Sequence, residues 1–113
     1  MKSKTVILQS VTVVETDDVV SIYSIPELLV VRDNIINVYL ANETEYENDG
    51  GKFIISELKF LTSDNDSFYE NIFVRCTNIQ AHTNIQMIAD ALDELKATPY
   101  EENDESKQIK ITS

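Results

Sequence analysis

Apolar positions recur at strand spacing through most of the chain and shift to helical spacing only in its last third. The most regular stretch is residues 28–40, where Leu28-Leu29-Val30-Val31 and Ile35-Ile36-Asn37-Val38-Tyr39-Leu40 flank Arg32-Asp33-Asn34. Asp33-Asn34 predicts a two-residue type I′ hairpin turn, since Asp and Asn tolerate the left-handed backbone such a turn needs. That closure sets Val31 opposite Ile36 and Leu29 opposite Val38. Leu29, Val31, Ile36, Val38 and Leu40 then share an apolar face, while Leu28, Val30 and Ile35 mix with Arg32, Asn37 and Tyr39 on the other.

Upstream, residues 5–15 read as a strand with imperfect alternation: Ile7, Val11 and Val13 fall on one face, Val6, Leu8 and Val14 on the other. A bulge near Ser10, or burial on both sides, accounts for this equally well. Thr16-Asp17-Asp18 is a tight connection into a second strand over residues 19–25. Pro26 is expected to end that ladder, because it has no N–H to donate. Downstream come an acidic loop over residues 42–51, which holds both glycines, a strand over 52–62, a second acidic loop over 63–71, and a strand over 72–77.

The clearest helix spans residues 84–97. Thr83 and Gln86 match a capping box, and Ile85, Ile88, Ala89, Leu92 and Leu95 fall on one stripe. Lys96 suits the helix C-terminus and Pro99 closes the segment. An acidic linker over residues 99–106 then leads to residues 107–112, Lys-Gln-Ile-Lys-Ile-Thr, which alternate like an edge strand. No internal repeat or long low-complexity tract is evident. The pattern predicts a single α+β domain over residues 1–113. Its core is a mainly antiparallel sheet of five to seven strands centred on the 28–40 hairpin, with the one helix packed on one face.

Charge narrows the function classes. Nine basic against twenty acidic residues give a net charge of −11, which disfavours direct binding to nucleic acid or to anionic membranes. Cys76 is the only cysteine, so no internal disulfide framework exists. The N-terminal residues lack an uninterrupted apolar run and a small-residue cleavage site, and no stretch has the length of a membrane span, so a cytoplasmic protein is expected.

Candidate chemistry is sparse. Cys76 and His82 are single residues with no third group at a recognisable spacing, and Cys76 reads as a small buried hydrophobe. No zinc spacing, P-loop or dinucleotide fingerprint is present. Asp64-Asn65-Asp66 opens like a calcium loop, but the sixth position is not Gly and the twelfth is Arg75. No metal, cofactor or small-molecule substrate is therefore inferred, and no catalytic residue.

Several strands carry two partly apolar faces, more than one helix covers. The expectation is a non-catalytic protein–protein interaction protein, a homo-oligomer or a component of a larger assembly such as a virus particle. Its contacts would run through Tyr39, Tyr100, Ile109 and Ile111. The alternative is an acidic inhibitor whose carboxylates stand in for nucleic-acid phosphates. It would use Glu43, Glu45, Glu47 and Asp49, then Asp64, Asp66 and Glu70, and then Asp90, Asp93 and Glu94. That reading needs the three clusters on one face.

Overall fold

The computed structural model describes residues 2–97. β1 (Ser3–Thr16) turns at Asp17-Asp18 into β2 (Val19–Arg32), and β3 (Ile35–Asn48) returns through Asp49-Gly50 as β4 (Gly51–Thr62). A one-turn helix α1 (Ser67–Glu70), a short strand β5 (Val74–Thr77) and a long helix α2 (Asn78–Ala97) follow. β1 and β2 form one antiparallel sheet, and β3, β4 and β5 form a second, in that order. The class is α+β with antiparallel sheets, as the alternation implies.

The hairpin expected over residues 28–40 does not form. Asp33-Asn34 turns the chain, but β2 ladders with β1 and β3 with β4. The left-handed turn lies instead at Asp17 and Asp18, with φ of +47° and +64°. That backbone matches strand twist, so it seeds a ladder. Pairing then runs unbroken from Thr16↔Val19 to Ser3↔Arg32. Asp33-Asn34 makes a corner between the sheets, held where Ser63 N–H donates to the Asn34 carbonyl at 3.0 Å. Burial along β3 shifts accordingly. The register slips between Ile35 and Asn37, so Ile35 is buried with Val38 and Leu40 packed against the core, while Ile36 is exposed.

β1 has no bulge, so its two apolar phases are explained by burial on both sides. Val6 and Leu8 face the core near the open end of the hairpin, and Val11 and Val13 are covered on the opposite face farther along. In a two-stranded ribbon of fourteen-residue strands, roughly 46 Å long at 3.3 Å per residue, strand twist lets the covered face change along its length: Leu8 belongs to the core cluster, while the buried Val11 lies outside it.

Pro26 does not end β2 but pairs with Gln9. The Gln9 N–H donates to Asn84 Oδ1 at 2.8 Å, and Asn84 Nδ2 donates to the Gln9 carbonyl at 2.7 Å. Both Gln9 groups therefore point away from β2. The Gln9–Pro26 pair is the non-hydrogen-bonded kind, and the missing proline N–H falls on the outer edge, where it costs nothing to the ladder.

The acidic stretch 42–51 is mostly strand rather than loop: β3 runs on to Asn48. The register shifts between Ala41 and Thr44, with Asn42 at φ +52°. In the 63–71 stretch, Asp66 N-caps α1, accepting from Phe68 N–H at 2.9 Å.

α2 begins six residues earlier than its sequence pattern indicates. Thr-Asn-Ile-Gln occurs twice, at 77–80 and 83–86, and the first copy is the cap. Thr77 N–H donates to Gln80 Oε1 at 3.0 Å and Gln80 N–H to Thr77 Oγ1 at 3.4 Å, the reciprocal pair of a capping box. Thr83, inside the helix, donates to the Ile79 carbonyl instead. The buried stripe is Ala81, Asn84, Ile88, Ala91 and Leu95, and α2 touches all five strands. Lys2 Nζ donates to the Leu95 carbonyl at the last turn. No helix among the described residues is long and apolar enough to cross a membrane.

Candidate interaction surface

The core gathers at one end of the ribbon, around Leu8, Leu29, Val31, Leu58, Val74 and Ile88. Register then dictates what remains outside. Directly paired residues share a face, so Ile7 and Leu28, opposite one another, project together from the side away from the core; they are 53% and 70% exposed. Their neighbours on that face are Thr5 with Val30 and Gln9 with Pro26. In a chain of net charge −11, this area contains no carboxylate.

Toward the Asp17-Asp18 tip, the opposite face becomes free. Val14, Val19, Tyr23 and Ile25 are all exposed there, interleaved with Thr12, Thr16 and Ser21. This face is also uncharged until Glu27. Glu27 lines an open groove of about 460 Å³ together with Ser10, Thr12, Glu57, Phe73 and Arg75. Glu57 is paired with Arg75 at 3.6 Å, while Glu27 has no ion-pair partner among the described residues.

Of the contact residues expected from sequence, Tyr39 is exposed on the outer face of β3, opposite Lys59. Leu61, one step along β4 opposite Asn37, and Ile36 at the register shift are exposed beside it. Tyr100, Ile109 and Ile111 lie outside the described residues. Ile7, Leu28, Tyr23 and Ile25 were not singled out by sequence reasoning. A two-residue turn at Asp17-Asp18 fixes their pairing, so laying the strands out from that turn would have revealed two charge-free faces.

The acidic clusters sit on three separate elements, and several members are engaged structurally. Glu43, Glu45 and Glu47 lie along β3 with Asp49 at its turn; Glu45 is 3.8 Å from Lys52. Asp64 accepts from Asn34 Nδ2 at 2.8 Å. Asp66 bonds Arg32 at 2.6 Å, and the Arg32 guanidinium stacks 4.6 Å from the Phe68 ring centroid. The Phe68 N–H, then Asn34 and Arg32, hold the Asp66 carboxyl below its ordinary range against a smaller upward push from desolvation. Glu70 is on α1, while Asp90, Asp93 and Glu94 are on α2. Asp90 accepts from Gln86, and Glu94 pairs with Lys4.

Cys76 is fully buried, its sulfur 3.8 Å from the Ser56 carbonyl. Burial pushes its thiol pKa up, against a smaller downward pull from Asn84. That environment suppresses thiolate character, while His82 is exposed on α2. Among the described residues no group of three or more His, Cys, Asp or Glu is placed to hold a metal ion.

The class these features define is an α+β ribbon protein: two long antiparallel hairpins in contact with the helix α2, with uncharged apolar faces exposed among the described residues. Comparison with known protein families, curated proteins and solved structures finds no match.

Proposed function

We propose that this chain is a non-catalytic protein–protein interaction module that works as a component of a larger assembly. The observation that carries this reading is the Ile7–Leu28 face, two large aliphatic side chains paired across a ribbon and exposed on a surface without carboxylates. Withdrawing their exposed portions from water would contribute on the order of 2–4 kcal/mol, the scale of a small hot spot. Tyr39, Leu61 and Ile36 provide a second patch on the other hairpin.

The phosphate-mimic alternative has less support. It needs free carboxylates on one continuous face, whereas Asp64, Asp66 and Glu94 are held by Asn34, Arg32 and Lys4.

Sedimentation velocity and affinity capture, comparing the wild type with Leu28→Glu, test the proposal. Expected is concentration-dependent association, or saturable capture of a defined protein, that Leu28→Glu abolishes without shifting the unfolding midpoint. Association unaffected by Leu28→Glu, and equally unaffected by Tyr39→Glu, would overturn it.

A further inference from the structure

We infer that the open groove between the β1–β2 ribbon and β5 receives an arginine side chain from another protein, carried on an extended segment whose next apolar side chains lie over Ile25 and Tyr23. Two of the three charges lining this groove answer one another. Glu57 faces Arg75 across the β4–β5 ladder, 3.6 Å from its Nε, and its second carboxylate oxygen accepts from Asn42 Nδ2 at 3.2 Å. Ser10 Oγ donates to the Arg75 carbonyl at 3.2 Å and ties the two walls together. Glu27 is left over. It is half-buried beside its fully buried pair mate Leu8, and it has no ion-pair partner among the described residues. A carboxylate against such walls gains more from a cation than one in open water, because the local dielectric is lower.

Phe73, 59% exposed, lines the same groove, and an aromatic ring stacks a guanidinium more readily than an ammonium. The chain makes this arrangement once within itself: Arg32 bonds Asp66 at 2.6 Å with its guanidinium 4.6 Å from the Phe68 ring centroid. Glu27 with Phe73 is a second acid–aromatic pair that lacks its arginine. Ile25 and Tyr23 follow at two and four residues along the same face of β2, since strand side chains alternate, and they are 37% and 56% exposed. Composition names the source of the guanidinium. Arg32 and Arg75 are the only arginines of the chain, and they are committed to Asp66 and Glu57, so a second copy has none to give. A net charge of −11 repels such a copy and favours a basic partner. Taken with the proposed interaction role, on which this site rests, the partner carries an arginine with apolar residues two and four positions away, and it is seated on a face other than that of Ile7 and Leu28.

The test is a titration of the full-length chain at low salt with the acetylated and amidated pentapeptide Arg-Thr-Leu-Thr-Leu, read by amide NMR. Expected are saturable shifts of the Glu27, Ile25 and Phe73 amides with a dissociation constant on the order of 1 mM, weakening as salt is added. The same peptide with citrulline for arginine keeps the shape without the charge and should bind several-fold more weakly. Glu27→Gln and Phe73→Ala should each weaken binding roughly two- to fivefold, the range of a solvent-accessible ion pair and of a cation over a ring. Glu15→Gln, the same charge change at an exposed position of β1, should leave the affinity unchanged. Equal binding of the citrulline peptide, an equal effect of Glu15→Gln, or no saturable shift of those amides up to roughly 10 mM peptide would overturn the inference. So would a mass of two chains that falls to one in Glu27→Gln, because the groove would then be filled by a second copy. Leu28→Glu in sedimentation and Glu27→Gln in the peptide titration report on separate faces, so either can fail alone.

Discussion

Replacing Asn84 should damage this fold more than any other single polar change on α2. Its carboxamide is fully buried and closes two short bonds to the outward-facing N–H and carbonyl of Gln9, as an adjacent strand would. Asn84→Ala removes both bonds and leaves two strand groups facing a space lined by protein. Each such group costs about 1–3 kcal/mol. Water entering the vacated volume recovers part of that sum, so the expected loss is about 3 kcal/mol, out of a total stability on the order of 5–15 kcal/mol. Asn84→Leu fills the volume without restoring either bond. It separates lost pairing from lost packing, and a loss of at least about 2 kcal/mol is expected there too. The assay is urea unfolding followed by far-UV circular dichroism at neutral pH, with the slope unchanged so that the midpoint reports stability. If both variants cost less than about 1 kcal/mol, the pairing does not join the helix to the ribbon as argued.

Three further outcomes follow from the same geometry. Thr77→Ala should cost about 1 kcal/mol by removing the cap of α2, while Thr83→Ala should stay within about 0.5 kcal/mol; equal effects in urea unfolding would refute the assignment of the cap to the first Thr-Asn-Ile-Gln. The Asp66 carboxyl lies below its unfolded value of 3.8 in the folded chain, so its contribution is present above that value and lost as pH falls through the folded one. Asp66→Asn should therefore flatten the acid limb of a stability–pH profile, and an unchanged limb would show that other carboxylates govern it. Cys76 should react with a thiol reagent only at the rate at which the chain opens, rising with urea; fast labelling of the native protein would contradict its burial.

The amino-acid sequence carried the strand-rich pattern, the α+β class, the tight connection at Asp17-Asp18 and the existence of a late amphipathic helix. Partner choice among the strands was not legible. Asp17-Asp18 and Asp33-Asn34 are chemically equivalent turn signals, and only the backbone shows that the first is left-handed and the second a corner between sheets. Pro26 misled for a related reason. Proline forbids a ladder bond only where its nitrogen faces the partner, and that parity follows from where the hairpin turns, which local sequence does not specify. The helix start was ambiguous because Thr-Asn-Ile-Gln is repeated at six-residue spacing and either copy could form the box. The copy reached directly from β5 formed it, and Asn84, polar but central to the buried stripe, broke the apolar pattern. The exposed faces escaped notice because absence of charge shows only after the strands are paired.

The proposed assembly role assigns contacts to the ribbon's faces, and its edges bear on that assignment. A two-stranded sheet offers unpaired N–H and carbonyl groups along both sides, a template for strand addition. Here several of those groups are occupied by side chains. On β2, the buried Tyr69 hydroxyl accepts from Arg32 N–H at 2.9 Å and donates to the Val30 carbonyl at 3.0 Å. Pro26 withholds a donor midway, and Asn48 Nδ2 reaches the Val20 carbonyl at 3.4 Å. On β1, Asn84 occupies both groups of Gln9. These contacts interrupt the ribbon's edges at Gln9, Val20, Pro26, Val30 and Arg32, while Ile7 with Leu28 and Tyr23 with Ile25 are exposed on opposite sides. A partner that packs side chain against side chain must match shape and the absence of charge. Such a partner is selected far more narrowly than one that only needs a free backbone, which is the selectivity the proposed assembly role requires.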